Sequence, residues 1–148
     1  MFKKLAKYVK EYKKSAILTP IFVILEVIME VIIPLLMAKI IDVGIQNGDV
    51  KYILEVGGLL IISAILSLTF GMLSGRFAAK ASAGYAKNLR KEMYHKVQNY
   101  SFENIDKFST SSLVTRMTTD VTNVQMAFQM IIRILVRGPI MMIFALLM

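Results

Sequence analysis

The stretch Val56-Gly57-Gly58-Leu59-Leu60-Ile61-Ile62-Ser63-Ala64-Ile65-Leu66-Ser67-Leu68-Thr69-Phe70-Gly71-Met72-Leu73-Ser74-Gly75 runs for 20 residues without Asp, Glu, Lys or Arg. A helix needs roughly 20 such residues to cross a bilayer. The surrounding chain has 148 residues, 56% of them hydrophobic, with a mean hydropathy of +0.60. A soluble domain of this length could bury one core, but its surface would need more charge than this composition provides. A soluble enzyme, a disordered tail and a secreted disulfide scaffold are therefore set aside. With no cysteine, disulfides and Cys-ligated zinc are excluded. His95 is the sole histidine, which argues against a His-based metal site or a Ser-His triad.

Lys and Arg outnumber Asp and Glu by 18 to 10, a net charge of +8. Its distribution argues against nucleic acid as the partner. Residues 1–14 carry six Lys and one Glu, and residues 76–123 carry eight basic residues against four acids. Residues 15–43 are net negative. Basic blocks that flank apolar spans are what the positive-inside rule expects of cytoplasmic segments. The predicted topology has the N-terminus and residues 76–123 in the cytoplasm and residues 43–51 outside.

The first 14 residues place Phe2, Leu5, Val9 and Tyr12 on one helical stripe among lysines, as in an amphipathic helix at a membrane surface. The apolar stretch that follows is too long for a signal-peptide core and lacks a small-x-small cleavage site, so an uncleaved anchor is predicted. Span 1 is predicted over 16–41. Pro20 and Pro34 lie inside it and would free the carbonyls of Ala16 and Glu30. Gly44, Asn47, Gly48 and Asp49 predict an outer loop over 43–51.

Span 2 is predicted over 52–100, leaving the bilayer near Gly75 and continuing into the cytoplasm. No proline interrupts it, and Phe77, Ala81, Tyr85, Leu89, Met93 and Val97 repeat every four residues. Such a helix is about 70 Å long, against a hydrocarbon core of about 30 Å. A second row, Ser63, Ser67, Gly71, Gly75, Ala79 and Ala83, is expected to form a close-packing seam. Residues 101–112 break the pattern, and Ser109, Thr110, Ser111 and Ser112 offer helix N-caps. A short helix follows through Leu113 and Arg116. A last apolar stretch, 121–148, contains Arg133, Arg137 and Gly138-Pro139. Only nine residues follow Pro139, about 14 Å of helix. A fragment cut inside a third span is expected.

The segment Phe108-Ser-Thr-Ser-Ser-Leu113-Val-Thr-Arg116-Met-Thr-Thr-Asp120-Val121 resembles the first intracellular loop of ABC exporters of the multidrug and lipid exporter type (type IV fold). In that family a phenylalanine precedes a small-x-Leu-x-x-Arg-x-x-x-Asp-Val pattern. The Lys-rich start resembles the family's elbow helix. Ile40-Ile41-Asp42-Val43-Gly44-Ile45 resembles the outer end of its first span, and the long helix from Tyr52 its second. Ser111 departs from the pattern, since many members have glycine there. The resemblance implies an all-α membrane protein, the start of an ABC transmembrane domain whose helices extend into the cytosol. Phe108, Ser109, Thr110, Ser111, Ser112, Leu113, Arg116 and Asp120 would form the first coupling helix. Its partners would be the lipid bilayer, a nucleotide-binding domain holding ATP and Mg, and a second half-transporter, identical or different. This chain has no Gly-x-x-x-x-Gly-Lys-Ser/Thr loop and is not expected to bind or hydrolyse ATP itself.

Glu26 and Glu30 lie one helical turn apart in span 1, on a stripe continued by Thr19, Ile33 and Met37. Intramembrane carboxylates face a bundle interior or a wet cavity. One reading makes Glu26, Glu30 and Met37 a wall of the transport cavity, biased toward cationic or polar substrates. The other makes the glutamates a hydrogen-bonded pair to another helix. Arg133 and Arg137 share the one-turn spacing. By depth they are expected about 15 Å or more from the glutamates, as inner-boundary anchors. Arg116 and Asp120 are i,i+4, and an exposed pair of this kind contributes only about 0.3–0.5 kcal/mol.

The composite expectation is an N-terminal piece of the membrane domain of an ATP-driven exporter of drugs, lipids or peptides. It would be multi-pass in a prokaryotic plasma membrane, with a cytoplasmic N-terminus. The lack of Cys and the excess of Lys over Arg point to an AT-rich bacterial genome. The rival expectation is a small self-contained multi-span accessory or interaction protein.

Overall fold

The structure, a computed structural model, describes residues 7–99 and 110–147, and all regular structure among them is helical. A 3-10 helix over Lys7–Tyr12 leads into α1, Lys13–Lys39, which contains both Pro20 and Pro34. A π-helical stretch, Ile40–Ile45, follows directly. The expected loop over 43–51 shrinks to Gly48 and Asp49. The apolar Ile40, Ile41, Val43 and Ile45 sustain the helix past the turn-forming residues. Gly48 takes the positive φ of 65° that reverses the chain. The Asp49 carboxylate then accepts a hydrogen bond from the Tyr52 amide at 3.1 Å and caps the next helix.

That helix, α2, runs unbroken over Val50–Gln98, 49 residues and about 74 Å. It packs antiparallel to α1. Asn88 Nδ2 donates to the Tyr8 carbonyl at 2.9 Å, and Tyr12 lies against Gly84. Phe22 stacks on Phe77 with centroids 5.5 Å apart and meets Phe70 at 6.3 Å. Gly44 faces Ile53 at the far end. Ala16 therefore falls between the Tyr12–Gly84 and Phe22–Phe77 contacts, well past the level of Gly75. The start of α1 belongs to the same extension as the second half of α2. The described part of the Lys-rich start, residues 7–12, packs on α2, with Val9 of the expected apolar stripe buried.

The seam on α2 departs from the expected four-residue row. Ser63 is buried and Gly71 meets Glu26, but Ala79 and Ala83 are exposed and nothing lies within 4 Å of a side chain built at Gly75. Each four-residue step overshoots a full turn by about 40°, so a long row winds off any straight contact line. The buried set instead advances by threes and fours through Ser74, Ala78, Ala81, Ser82 and Tyr85.

A short helix, α3, spans Thr110–Thr115 and continues through a π-helical turn, Arg116–Asp120, into α4, Val121–Leu147. Thr115 and Val121, at the two ends of that turn, have right-handed helical dihedrals, so the short helix runs on into the third span without a break in the helix. No Gly or Pro occurs between Thr110 and Arg137 to stop the helix. α4 runs antiparallel to α2 and parallel to α1. Arg90 donates to Thr122 Oγ1 at 3.2 Å, Tyr85 stacks on Phe128 at 4.7 Å, and Ser82 donates to Gln129 Oε1 at 3.3 Å. Each of the three long rods is long and apolar enough to cross a membrane.

Candidate functional site

The antiparallel register carries Glu26 to the level of Gly71 and Ser74, at the end of the charge-free run of α2. A glycine at 71 makes room for the carboxylate, because a Cβ there would lie 3.1 Å from Glu26 Oε1. Ser74 Oγ donates to the Gly71 carbonyl at 2.9 Å and also stands 3.4 Å from Glu26 Oε2. From α4, Arg137 reaches the same point. Its Nη1 donates to Glu26 Oε1 at 3.2 Å, and its Nη2 donates to both oxygens of Glu30, at 2.6 and 2.8 Å. One guanidinium thus clamps two carboxylates one turn apart, using charge-assisted bonds. Glu26 is 8% exposed.

This pairing corrects the expected separation of the arginines from the glutamates, which fails at two levels. Counting from Ala16 puts Glu26 at mid-bilayer, yet Ala16 lies in the extension. Counting the return of the chain from Thr118, rather than from the start of the third rod at Thr110, displaces α4 by about eight residues, more than two turns. The matching one-turn repeats, Glu26/Glu30 and Arg133/Arg137, are the signal in the sequence that points to the clamp. Of the two readings of the glutamates, the structure has them bonded to a neighbouring helix.

Beside the clamp lies a cavity of about 440 Å³ between α1 and α4. Glu26, Gln129, Arg133 and Arg137 give it polar groups, and Val23 and Met126 are among its apolar lining. Met37, expected on the same wall, is 51% exposed and lies outside this lining. Arg133 makes no ion pair or hydrogen bond among the described residues.

The loop residues fall elsewhere. Phe108 and Ser109 lie outside the described residues. Thr110, Ser111, Ser112 and Leu113 form the first turns of the third rod, and Arg116 and Asp120 open and close its π-helical turn. Leu113 is half-buried, whereas its neighbour Val114 is 56% exposed. Among the described residues no cluster of His, Asp and Glu could hold a metal ion.

Residues 16–148 match the ABC transporter transmembrane region. The uncharacterized ABC transporter ATP-binding protein YfiB of Bacillus subtilis is 36% identical over 138 residues, 93% of this chain and 24% of that protein. A Mycobacterium tuberculosis protein named as an uncharacterized ABC transporter ATP-binding protein is 23% identical over 137 residues, 93% of this chain and 24% of its own length. A Rickettsia conorii protein, provisionally named as an export ATP-binding/permease protein, is 24% identical over 144 residues, 95% of this chain and 24% of its own length. The chain thus spans about a quarter of the length of the relatives it matches. Three long apolar rods and a family match over residues 16–148 agree: the chain belongs to the ABC transporter transmembrane region family and is part of a multi-pass membrane protein.

Proposed function

We propose that these helices form the opening part of the membrane domain of an ATP-driven exporter in a bacterial plasma membrane. The N-terminus and the end of α2 at Gln98 face the cytoplasm, as the lysine distribution favours. ATP and Mg are bound by a nucleotide-binding domain elsewhere in the assembly, and a second half-transporter, identical or different, completes the pathway. The names of the Bacillus and Rickettsia relatives support the ATP-binding and export parts of this reading. Glu26 and Glu30 brace the pathway wall through Arg137, and Met37 continues that wall outward.

The observation that carries the proposal is the length of the paired rods. α2 is more than twice as long as a bilayer core is thick, and it contacts both neighbours far beyond its charge-free run. A membrane anchor needs no such extension, whereas a lever between a cytoplasmic motor and a membrane pathway does. The cytoplasmic tip, with Thr110 to Asp120 at its base, is then the coupling surface.

Val114, exposed at that base, is the side chain to change. In the full-length transporter Val114→Asp is expected to leave folding within about 0.5 kcal/mol, as for a surface change. ATP hydrolysis should persist while transport in vesicles falls. Unchanged transport per ATP would remove this segment from the coupling surface.

A further inference from the structure

Two parallel helices carry opposite charges at the same spacing. Glu26 and Glu30 lie one turn apart on α1, and Arg133 and Arg137 lie one turn apart on α4. Two carboxylates and two guanidiniums balance, yet they are not matched one to one. Arg137 holds both glutamates, Nη1 on Glu26 and Nη2 on Glu30, so its guanidinium sits at a level between them. Arg133 lies about 6 Å of helix rise closer to Val121. It has no ion pair or hydrogen bond among the described residues. Arg133 and Glu26 line the same cavity of about 440 Å³, which leaves the guanidinium room to reach the carboxylate. Outward is the direction of rising residue number in both helices. Sliding α4 outward by about two residues, or about 3 Å, brings Arg137 level with Glu30 and Arg133 level with Glu26.

The packing of α4 opposes such a slide only weakly. Among its described side chains only Val121 is buried within this chain, so one apolar side chain has to be re-seated. The ties to α2 are made by side-chain tips and are long: Arg90 to Thr122 at 3.2 Å and Ser82 to Gln129 at 3.3 Å, at or beyond the usual hydrogen-bond range. Tyr85 and Phe128 stack at 4.7 Å, and a 3 Å offset keeps their centroids inside the roughly 4.5–7 Å span of favourable ring pairs. Next to Val121, on its inward side, lies the π-helical turn Arg116–Asp120. Such turns recur at functional sites. A π-turn rises less per residue than an α-turn, so its return to α geometry lengthens the rod at the end from which an outward slide is fed.

We infer that α4 has two registers on α1. In the observed one Arg137 clamps both glutamates and Arg133 faces the cavity. In the other, Arg137 keeps Glu30 and Arg133 takes Glu26. The same two carboxylates are neutralised in both, so neither register buries an unpaired acid. Small shifts of packed helices between two discrete pairings are an established kind of switching element. Two registers deepen the proposed function by naming a step of the pathway wall, and what drives that step rests on that reading. ATP binding, felt at the base of α4, favours the outward register.

The test measures the distance between spin labels on cysteines placed at Ile41 and Val124, both exposed, in the full-length transporter in phosphatidylcholine nanodiscs. An excess of unlabelled protein restricts the reading to distances within one chain. The two positions lie on opposite sides of the clamp, about 39 Å apart along the helix axes, and the outward register shortens that by about 3 Å. Without nucleotide, Arg137→Lys should produce the shortening, because a point charge lacks the fork that spans both carboxylates. Adding Arg133→Gln should restore the longer distance, and adding Arg133→Lys should not. Arg133→Gln alone should leave both the distance and the unfolding temperature unchanged, which separates a switching role from a structural one. Size-exclusion behaviour is the folding control. No shortening in folded Arg137→Lys, or a shortening that survives Arg133→Gln, would overturn the two registers. Trapping with ATP and vanadate keeps the two proposals apart. In the protein with its clamp intact it should give the same shortening, lost with Arg133→Gln. A register shift in Arg137→Lys with no response to ATP would sink the exporter reading alone. ATP-driven transport with no shift in any state would sink the registers alone.

Discussion

The two faces of α2 are held by different physics. Toward α1 the contact is apolar and aromatic: Val23, Val27 and Ala78 are buried, and Phe22 sits between Phe70 and Phe77. Toward α4 the ties are spaced and polar: Arg90 to Thr122, Ser82 to Gln129, and the Glu26–Arg137–Glu30 clamp from α1, with one aromatic stack at Tyr85 and Phe128. Among the described side chains of α4 only Val121 is buried within this chain. The first seam forms an antiparallel hairpin with one packing solution. The second fixes the level of α4 at a few points and leaves its remaining surface to other partners. In lipid, where apolar burial drives helices together only weakly, such polar points and close contacts set register.

The largest expected effect breaks the first seam. Phe22→Ala removes two ring contacts and leaves a void, and should lower the stability of the full-length protein by about 3 kcal/mol. Thermal unfolding in detergent reads it. A loss under about 1 kcal/mol would mean that the aromatic seam does not dominate. Next, Arg137→Gln strips the clamp of its cation and leaves two carboxylates facing each other. A fully buried pair broken this way costs about 3–5 kcal/mol, and partial exposure of Arg137 reduces that to about 2 kcal/mol. Converting both glutamates to Gln in the same chain should recover part of the loss, and no recovery would dissociate Arg137 from them. The smallest effect sharpens the join between the two faces. Gly71→Ala pushes a methyl toward Glu26 Oε1 and should cost about 1 kcal/mol by overpacking. In an Arg137→Gln background, where Glu26 is free to retreat, the cost should shrink. Equal costs in both backgrounds would show that Gly71 and the clamp are independent.

The membrane helices are legible in the sequence because a charge-free run of bilayer length is what a spanning helix requires, and because nothing between Val50 and Gln98 can stop a helix. Boundaries are less so. Gly44 and Asn47 look like turn residues yet lie in helix, since one residue with positive φ, Gly48, suffices to reverse the chain. The packing stripe fails at Ala79 and Ala83 because sequence spacing of four ignores the winding of a real helix. The cost of an intramembrane carboxylate singles out Glu26 and Glu30, but it does not name their partner. Pairing across about 110 residues depends on the levels of two hairpins, and an offset of a few turns in either moves Arg137 away from Glu30.

Contact between Arg137 and Glu30 fixes the level of α4 beside α1, and the clamp and the cavity both depend on it. A charge swap in the full-length protein tests it most directly: Glu30→Arg, Arg137→Glu and the double exchange, each compared by yield of folded protein and by unfolding temperature. Each single reversal places like charges together and should destabilise strongly. The double exchange should recover at least half of the summed loss, a coupling of about 1 kcal/mol or more between residues in contact. Losses that simply add would contradict the contact and return α4 to a different level beside α1.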